Sequence, residues 1–501
     1  MAKLASEFNV EKEAALAQWV RETHFAHHCP KTARLNHGSF GAIPKHVLER
    51  TEQVRREWYS QPDKLYFTQL DHAFRPSRYG LHRERERERE RARCRCRCVG
   101  CLTGTARRSV YSEAVARVIN APVDHTVLLT NATYAAAIVA EHVARERHEG
   151  HSRHGVDDGQ ASYVVLFNAC YNAYNMLFQH YCRRAGYQLA YVPLPFPFTD
   201  EQQLLDAYRS TLESLPRGRV RLAVLDHITS NPSFVLPIEA MISMSREYEV
   251  EEVFVDGAHA IGMVPIDVEK LGCDYYVSNV HKWLFGATGC AVFYCKHEHK
   301  IKGTKGLEDP DAHDNQLHHP IISHDYRNGL VAECYWQGTS EYTSWFVVPE
   351  SVAFYHEIGA ELRERLPYET DAEAFAATGD GEPLVVARYN RRKAVWALTM
   401  LAEAWGTDIG TPLESVTALG MVRLPSSLLL HSADDALRFR HVVRQRYDIE
   451  CIPFFNEQDR AAYIRIAAQI YNSPNDYIRL RDAVVALIAS QHHDAAGIVQ
   501  W

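Results

Sequence analysis

No uninterrupted apolar run in this chain of 501 residues approaches the roughly 20 residues of a membrane helix, so no membrane span is expected. Positive charge is not in excess: the formal net charge is −8, which gives no general reason to expect a nucleic-acid partner. The opening MAKLASEFNVEKEAALAQWV lacks an apolar core, so neither a secretory signal nor a transit peptide is expected and the cytoplasm is the default. Cysteines number 12, but four (Cys94, Cys96, Cys98, Cys101) fall in one odd segment. Others, such as Cys170, Cys273, Cys290 and Cys295, sit in apolar runs as buried free thiols do, and a disulfide framework is not expected. Metal-ligand spacing is missing too. His318, His319 and His324 match no standard motif in a polar stretch expected to be a solvated substrate-side loop, so no metal is assigned.

What is present is ordinary in bulk and specific in one place. Hydrophobic content of 46% and charged content of 24% suit a soluble globular protein long enough for two domains. The specific place is VFVDGAHAIGMVPIDVEKLGCDYYVSNVHKWLFGATGCAVFY, from Val253 to Tyr294. Val253–Val255 and Ala291–Tyr294 have the length and composition of buried strands. Asp256 ends the first, and Lys282, preceded by His281, comes shortly before the second. An acid at the carboxyl end of a strand and a lysine near the next suit a cofactor pocket on an α/β sheet. Taken singly, each is more often an unrelated surface group. Together with SNVHKW they are far more specific.

This string resembles the core of fold type I pyridoxal-phosphate enzymes, in the class V aminotransferase branch. The resemblance implies that Lys282 carries the cofactor as a Schiff base and that Asp256 pairs with the pyridine nitrogen. A carboxylate there keeps the ring protonated, so that it can take up electrons from Cα. A lysine must be neutral to attack an aldehyde, and partial burial favours that form. Strands alternating with helices give the expected fold: a large, doubly wound, mainly parallel sheet domain over 35–345 and a smaller α+β domain over 346–501, preceded by a helical arm over 1–34. RERERERERARCRCRC interrupts the first domain. Strict Arg–Glu alternation cannot build a core, so roughly 79–107 is expected to be a disordered insertion or a gene-model error.

The remaining site residues come largely from the same resemblance. In LNHGSFGAIP, Asn36, His37 and Ser39 border the active site and are assigned to substrate. Asn131, Ala132 and Thr133 form a polar turn opening a helix, where capping and the helix dipole suit a phosphate. Tyr171 stands where relatives stack a ring on the cofactor, and Ser230 where they contact its 3-oxygen. Asn279 and His281 are cofactor contacts by position, and His259 is expected to touch the cofactor oxygen or tune leaving-group protonation. Gly338 and Thr339 match a pair that reaches the phosphate of the neighbouring subunit, which implies a homodimer with shared sites. Arg465, in YIRIAAQIYN, matches the arginine that clamps the substrate carboxylate.

HITSNPSFVLPIE, FVDGAHAIG, SNVHKW, YRNGL and YIRIAAQIYN most resemble plant-type L-cysteine desulfhydrases, and also isopenicillin N epimerase-like proteins and, more distantly, hercynylcysteine sulfoxide lyases. Cysteine desulfurases share the fold but need a nucleophilic cysteine after the Gly-Thr pair, and none occurs between Cys334 and Cys451. The implied reaction is β-elimination from a cysteine-like amino acid, with epimerisation or a catalytically silent scaffold as the alternatives.

Overall fold

The computed structural model describes residues 8–66, 110–148, 160–301, 316–366 apart from 327 and 336, 379, 381 and 384–493. The insertion expected over 79–107, with its four cysteines, lies outside the described residues.

Short, mainly apolar runs dictate the main sheet. TVLL, VRLAVLD, EVFVD, YYVS and AVFYC are buried at every position, as strands covered on both faces must be. After a two-residue β1 (Ala33–Arg34), these five runs fold as β2 (Thr126–Leu129), β5 (Val220–Asp226), β6 (Glu252–Asp256), β7 (Tyr275–Ser278) and β8 (Ala291–Cys295), joined by β3 (Tyr163–Phe167) and the partly exposed β4 (Gln188–Val192). Their spatial order is β2-β8-β7-β6-β5-β3-β4. β7, β6, β5, β3 and β4 run parallel, while β8 is antiparallel to both its neighbours. Side chains alternate between two cores. Leu128, Val165, Leu225 and Val255 face one, and Leu129, Leu166, Val224 and Phe254 face the other.

The strand that delivers Lys282 is β7, a short run with two tyrosines that periodicity alone did not single out. Tyr275 and Tyr276 are both fully buried, because aromatic bulk fills the space between strand and covering helices.

The C-terminal part has its own core. β9 (Leu419–Arg423), β10 (Ile449–Glu450), β11 (Ile452–Asn456) and β12 (Ala461–Ala467) follow in sequence. Of these, β11, β12 and β9 make an antiparallel sheet, covered by helices Val385–Trp405, Ala433–Tyr447 and Pro474–His493. The N-terminal helix Val10–His24 is tied to this part. Buried Glu13 pairs with Arg392 and accepts from Tyr389 at 2.6 Å, and β1 lies parallel to β10. No helix among the described residues is long and apolar enough to cross a membrane.

Two local expectations change. The loop over Leu35–Pro44 contains a one-turn helix, His37–Phe40. His318 and His319 are buried rather than solvated: Glu333 accepts from the backbone N–H of His319 at 2.9 Å and pairs with His318 Nδ1 at 2.8 Å, giving both a polar partner inside.

At the amino ends of the parallel strands the sheet is locked by buried charge. Arg221 binds Glu252 at 2.7 Å, Glu251 at 3.3 Å and Glu146, while Lys300 binds Glu252 at 2.6 Å and Tyr275 at 3.1 Å. Removing one partner strands the others without compensation. Arg221→Met is therefore expected to cost roughly 3–5 kcal/mol, read from the denaturation midpoint, and to leave the distant site's ligand affinity unchanged.

Candidate active site

The opposite edge of the sheet carries the chemistry. Parallel strands end together, so β5 and β6 place Asp226 beside Asp256 in register, on one face. Both are buried, at 3% and 5% exposure. Asp256 is held by the Ala258 N–H at 2.9 Å, and the Tyr174 hydroxyl has one hydrogen to share between the Ala132 carbonyl, 2.9 Å away, and Asp256. Among the described residues, Asp226 Oδ2 has no hydrogen-bond partner. Burial raises both carboxyls, and the charge of Asp256 raises Asp226 further. The Ala258 N–H, Lys282 and Tyr174 all favour ionised Asp256. Asp256 is thus the carboxylate of the pair and Asp226 the acid.

Past the end of β7, Lys282 sits on the one-turn helix Val280–Trp283. Burial pushes its amine down to about 8; Asp256 opposes this and Arg465 adds to it. His259 Nε2 is 3.2 Å from Nζ, and Trp283 Nε1 donates to His259 Nδ1 at 3.2 Å. The Lys282 carbonyl accepts from His37 Nε2 at 2.9 Å. Gly41 is where this backbone passes closest to another segment. With φ at +71°, a Cβ there would lie 1.8 Å from the His281 carbonyl oxygen.

Arg465 reaches in from β12. Nη1 donates to the Ser230 carbonyl at 2.8 Å and to its hydroxyl at 3.4 Å; Nη2 donates to Asn36 Oδ1 at 2.8 Å and Ser39 Oγ at 3.0 Å. The guanidinium is 3% exposed, and among the described residues its hydrogen-bond partners are all neutral oxygens. A buried cation so placed is a receptor for an anion. Burial brings its pKa to about 10, so it remains charged at neutral pH.

The structure therefore brings Asp256, His259, Lys282, Ser230, Asn36, Ser39 and Arg465 together. His37, grouped by sequence with the substrate residues, instead lies under Lys282. It is 1% exposed, and its Nδ1 is occupied by the Tyr471 hydroxyl at 2.9 Å. One helical turn points His37 inward where Asn36 and Ser39 point to the arginine.

At the start of helix Ala132–His148 the expected free N–H groups are engaged. Asn279 accepts from Ala132 at 3.0 Å, and Asn131 accepts from Thr133 and Tyr134 at 3.0 and 3.3 Å. What these residues retain for an anion is the Thr133 hydroxyl, the two amide NH2 groups and the helix dipole. His281 donates from Nδ1 to the Cys290 carbonyl at 2.8 Å, and burial lowers it to about 4. Tyr171 is half-exposed at the head of helix Asn172–Arg184, and Gly338 (φ +99°) and Thr339 are exposed.

Sequence reasoning missed Asp226, Tyr174 and Trp283. For Asp226 a signal existed: VRLAVLD ends on an acid as EVFVD does, and parallel neighbours align such ends.

A doubly wound sheet with a buried acid and a lysine at its carboxyl edge, faced by a buried arginine from the C-terminal part, is the arrangement of fold type I pyridoxal-phosphate enzymes. Residues 105–360 match the family described as Aminotransferase class-V, and the chain belongs to that family. It is 35% identical over 486 residues to the L-cysteine desulfhydrase of Arabidopsis thaliana, covering 94% of this chain and 91% of the relative. The isopenicillin N epimerase of Streptomyces clavuligerus is 24% identical, over 91% of this chain and 95% of its own. Among solved structures, the apo cysteine desulfurase from Thermococcus onnurineus NA1 shares the fold, with a TM-score of 0.60 at 16% identity over 94% of this chain and 98% of that one.

Pyridoxal phosphate fits the residues present. Asp256 offers a carboxylate held for a ring N–H, Lys282 an amine, Tyr171 a ring face, and the Asn131–Thr133 turn with Asn279 a set of donors for phosphate. Only the unprotonated amine attacks an aldehyde, and Lys282 loses its proton as pH rises through about 8. Capture of pyridoxal phosphate by the cofactor-free protein should therefore quicken with pH and level off above that value, as stopped-flow absorbance would record.

Proposed function

We propose that this protein is a pyridoxal-phosphate-dependent carbon–sulfur lyase, which takes L-cysteine or a cysteine derivative to sulfide (or sulfenate), pyruvate and ammonia. The observation that carries the reading is the buried Arg465 guanidinium, with neutral oxygen partners, in the same site as a lysine amine brought down to about 8. Identity of 35% to an L-cysteine desulfhydrase over nearly the whole chain supports the substrate class.

Arg465 grips the substrate carboxylate, and Asn36, Ser39 and Ser230 fix the plane of its guanidinium. Lys282 Nζ, as a neutral amine, takes the proton from Cα. Bound in the site, pyridoxal phosphate supplies the sink for the electron pair left on Cα. Asp256 holds its negative charge where the ring nitrogen would lie, with Asp226 behind it as a neutral acid. The Cα–Cβ double bond forms as the Cβ–S bond breaks and hydrosulfide departs with its electron pair. The enamine released then hydrolyses to pyruvate and ammonia.

Persulfide chemistry would need a thiolate within reach of the sulfur. Cys170 is the thiol that feels Asp226 and Asp256, and burial with those charges pushes it up to about 12, so it stays protonated. Cys334 and Cys451 are buried and raised in the same sense. A cytoplasmic homodimer belongs to the same proposal: the exposure of Gly338 and Thr339 supports it, and a fully active monomer in light scattering would remove that part.

The decisive assay incubates the holoenzyme with L-cysteine and measures sulfide and pyruvate together. Equal yields are expected, and they should persist in Cys170→Ser. Sulfide with alanine in place of pyruvate would overturn the lyase assignment in favour of a desulfurase. Neither product would move the proposal to sulfoxide or epimerase substrates.

Lys282→Ala is expected to leave the protein folded by circular dichroism while removing both the covalent cofactor absorbance and turnover. Lyase activity surviving that change would show that another group moves the Cα proton.

A further inference from the structure

His259 makes two hydrogen bonds whose directions depend on each other. Trp283 Nε1 lies 3.2 Å from His259 Nδ1, and an indole N–H can only donate. Nδ1 must therefore accept, and a neutral imidazole then carries its hydrogen on Nε2. The ring is neutral: it is 3% exposed, and burial, with the charge of Arg465, drives it well below the ordinary histidine range. Its Nε2 points at Lys282 Nζ, 3.2 Å away. With the hydrogen on Nε2, that contact is a hydrogen bond only if Nζ accepts. An ammonium group has no lone pair and could not.

We infer that Trp283 is a positioning residue which, by fixing the Nε2–H tautomer of His259, selects the neutral amine of Lys282. The opposite tautomer would present a lone pair to Lys282 and stabilise its ammonium form. The inference rests on Lys282 being the amine that captures the cofactor, and it adds a cause for that amine's neutrality beyond burial.

The other groups facing Lys282 act independently of Trp283. Asp256, at the end of β6, favours the charged amine; Arg465, on β12, disfavours it. His281, on the lysine's own short helix, is turned to the Cys290 carbonyl, and His37 binds the lysine's carbonyl from below. Trp283 itself is 1% exposed, with its ring centroid 4.6 Å from that of His37. Its side chain reaches neither Asp256 nor Arg465 by any hydrogen bond.

The test titrates Lys282 in the full-length, cofactor-free protein. A pulse of acetic anhydride at each pH between about 6 and 11, followed by mass spectrometry of the peptide carrying Lys282, gives the fraction of neutral amine. The unaltered protein should show a midpoint near about 8. Trp283→Phe keeps an apolar ring and deletes the donor; the midpoint should rise by about one unit, and pyridoxal phosphate capture at neutral pH should slow about tenfold. Should the phenylalanine variant not fold, benzothienylalanine inserted at position 283 replaces the N–H with sulfur at nearly constant shape, and the same shift is expected.

His259→Leu separates hydrogen bonding from packing, since in that background Trp283→Phe should cause no further shift. An unchanged midpoint in Trp283→Phe, or an equal shift with and without His259, would overturn the inference. Borohydride trapping of pyridoxal phosphate on a lysine other than Lys282 would instead overturn the site assignment beneath it.

Discussion

Parallel strands that start together also end together, and this one constraint arranges the molecule. Near the amino ends of β5 to β7, Arg221, Glu252 and Tyr275 close with Lys300 into a buried ionic lock. At the carboxyl ends, the same alignment sets Asp226 against Asp256 and sends the chain from β7 straight into the turn that carries Lys282. One edge holds the sheet together, leaving the other free to carry groups that are poor at stabilising a fold. Two adjacent buried carboxyls, an amine brought down to about 8 and a buried guanidinium each cost folding free energy.

Those costs are also the chemistry. Burial alone would neutralise every charged group in the site, yet the outcomes differ because each has different neighbours. Asp256 is favoured as an anion by a backbone N–H, Tyr174 and Lys282, while Asp226 has a carboxyl beside it and an oxygen without a donor. Lys282 is disfavoured as a cation by Arg465 and has, in His259, a ring whose orientation asks for an amine. Arg465 keeps its charge because a guanidinium titrates so high that burial leaves it at about 10. An anion, an amine that titrates near about 8 and a cation thus stand within one apolar enclosure.

The N-terminal segment shows how long-range the construction is. Asn36 and Ser39 orient an arginine from β12, and His37, one helical turn's worth of direction away, supports the backbone of Lys282. Gln469, two residues past the end of β12, lies 3.1 Å from the same His37 ring and accepts from Asn390. The segment around Asn36–Ser39, the large sheet and the C-terminal part therefore meet at the lysine.

Much of this was legible without coordinates. Apolar runs marked β6 and β8 as buried strands, and Asp256, Lys282 and Arg465 stood out because their chemistry and the strings around them are unusual together. Strand β7 was not legible, since four residues with two tyrosines carry no periodicity that separates strand from helix. Nor was the direction of β8, which depends on how a connection crosses the sheet. The sequence by itself determined which acids, bases and cations the protein possesses and roughly which strand ends carry them, because composition and local pattern are properties of neighbours in the chain. Only the tertiary structure decided which carboxyl is acid and which is anion, that His37 serves the lysine rather than the substrate, and which nitrogen of His259 holds the proton. Those are set by donors and acceptors brought opposite one another from distant segments, and a hydrogen bond has a direction only once both partners are in place.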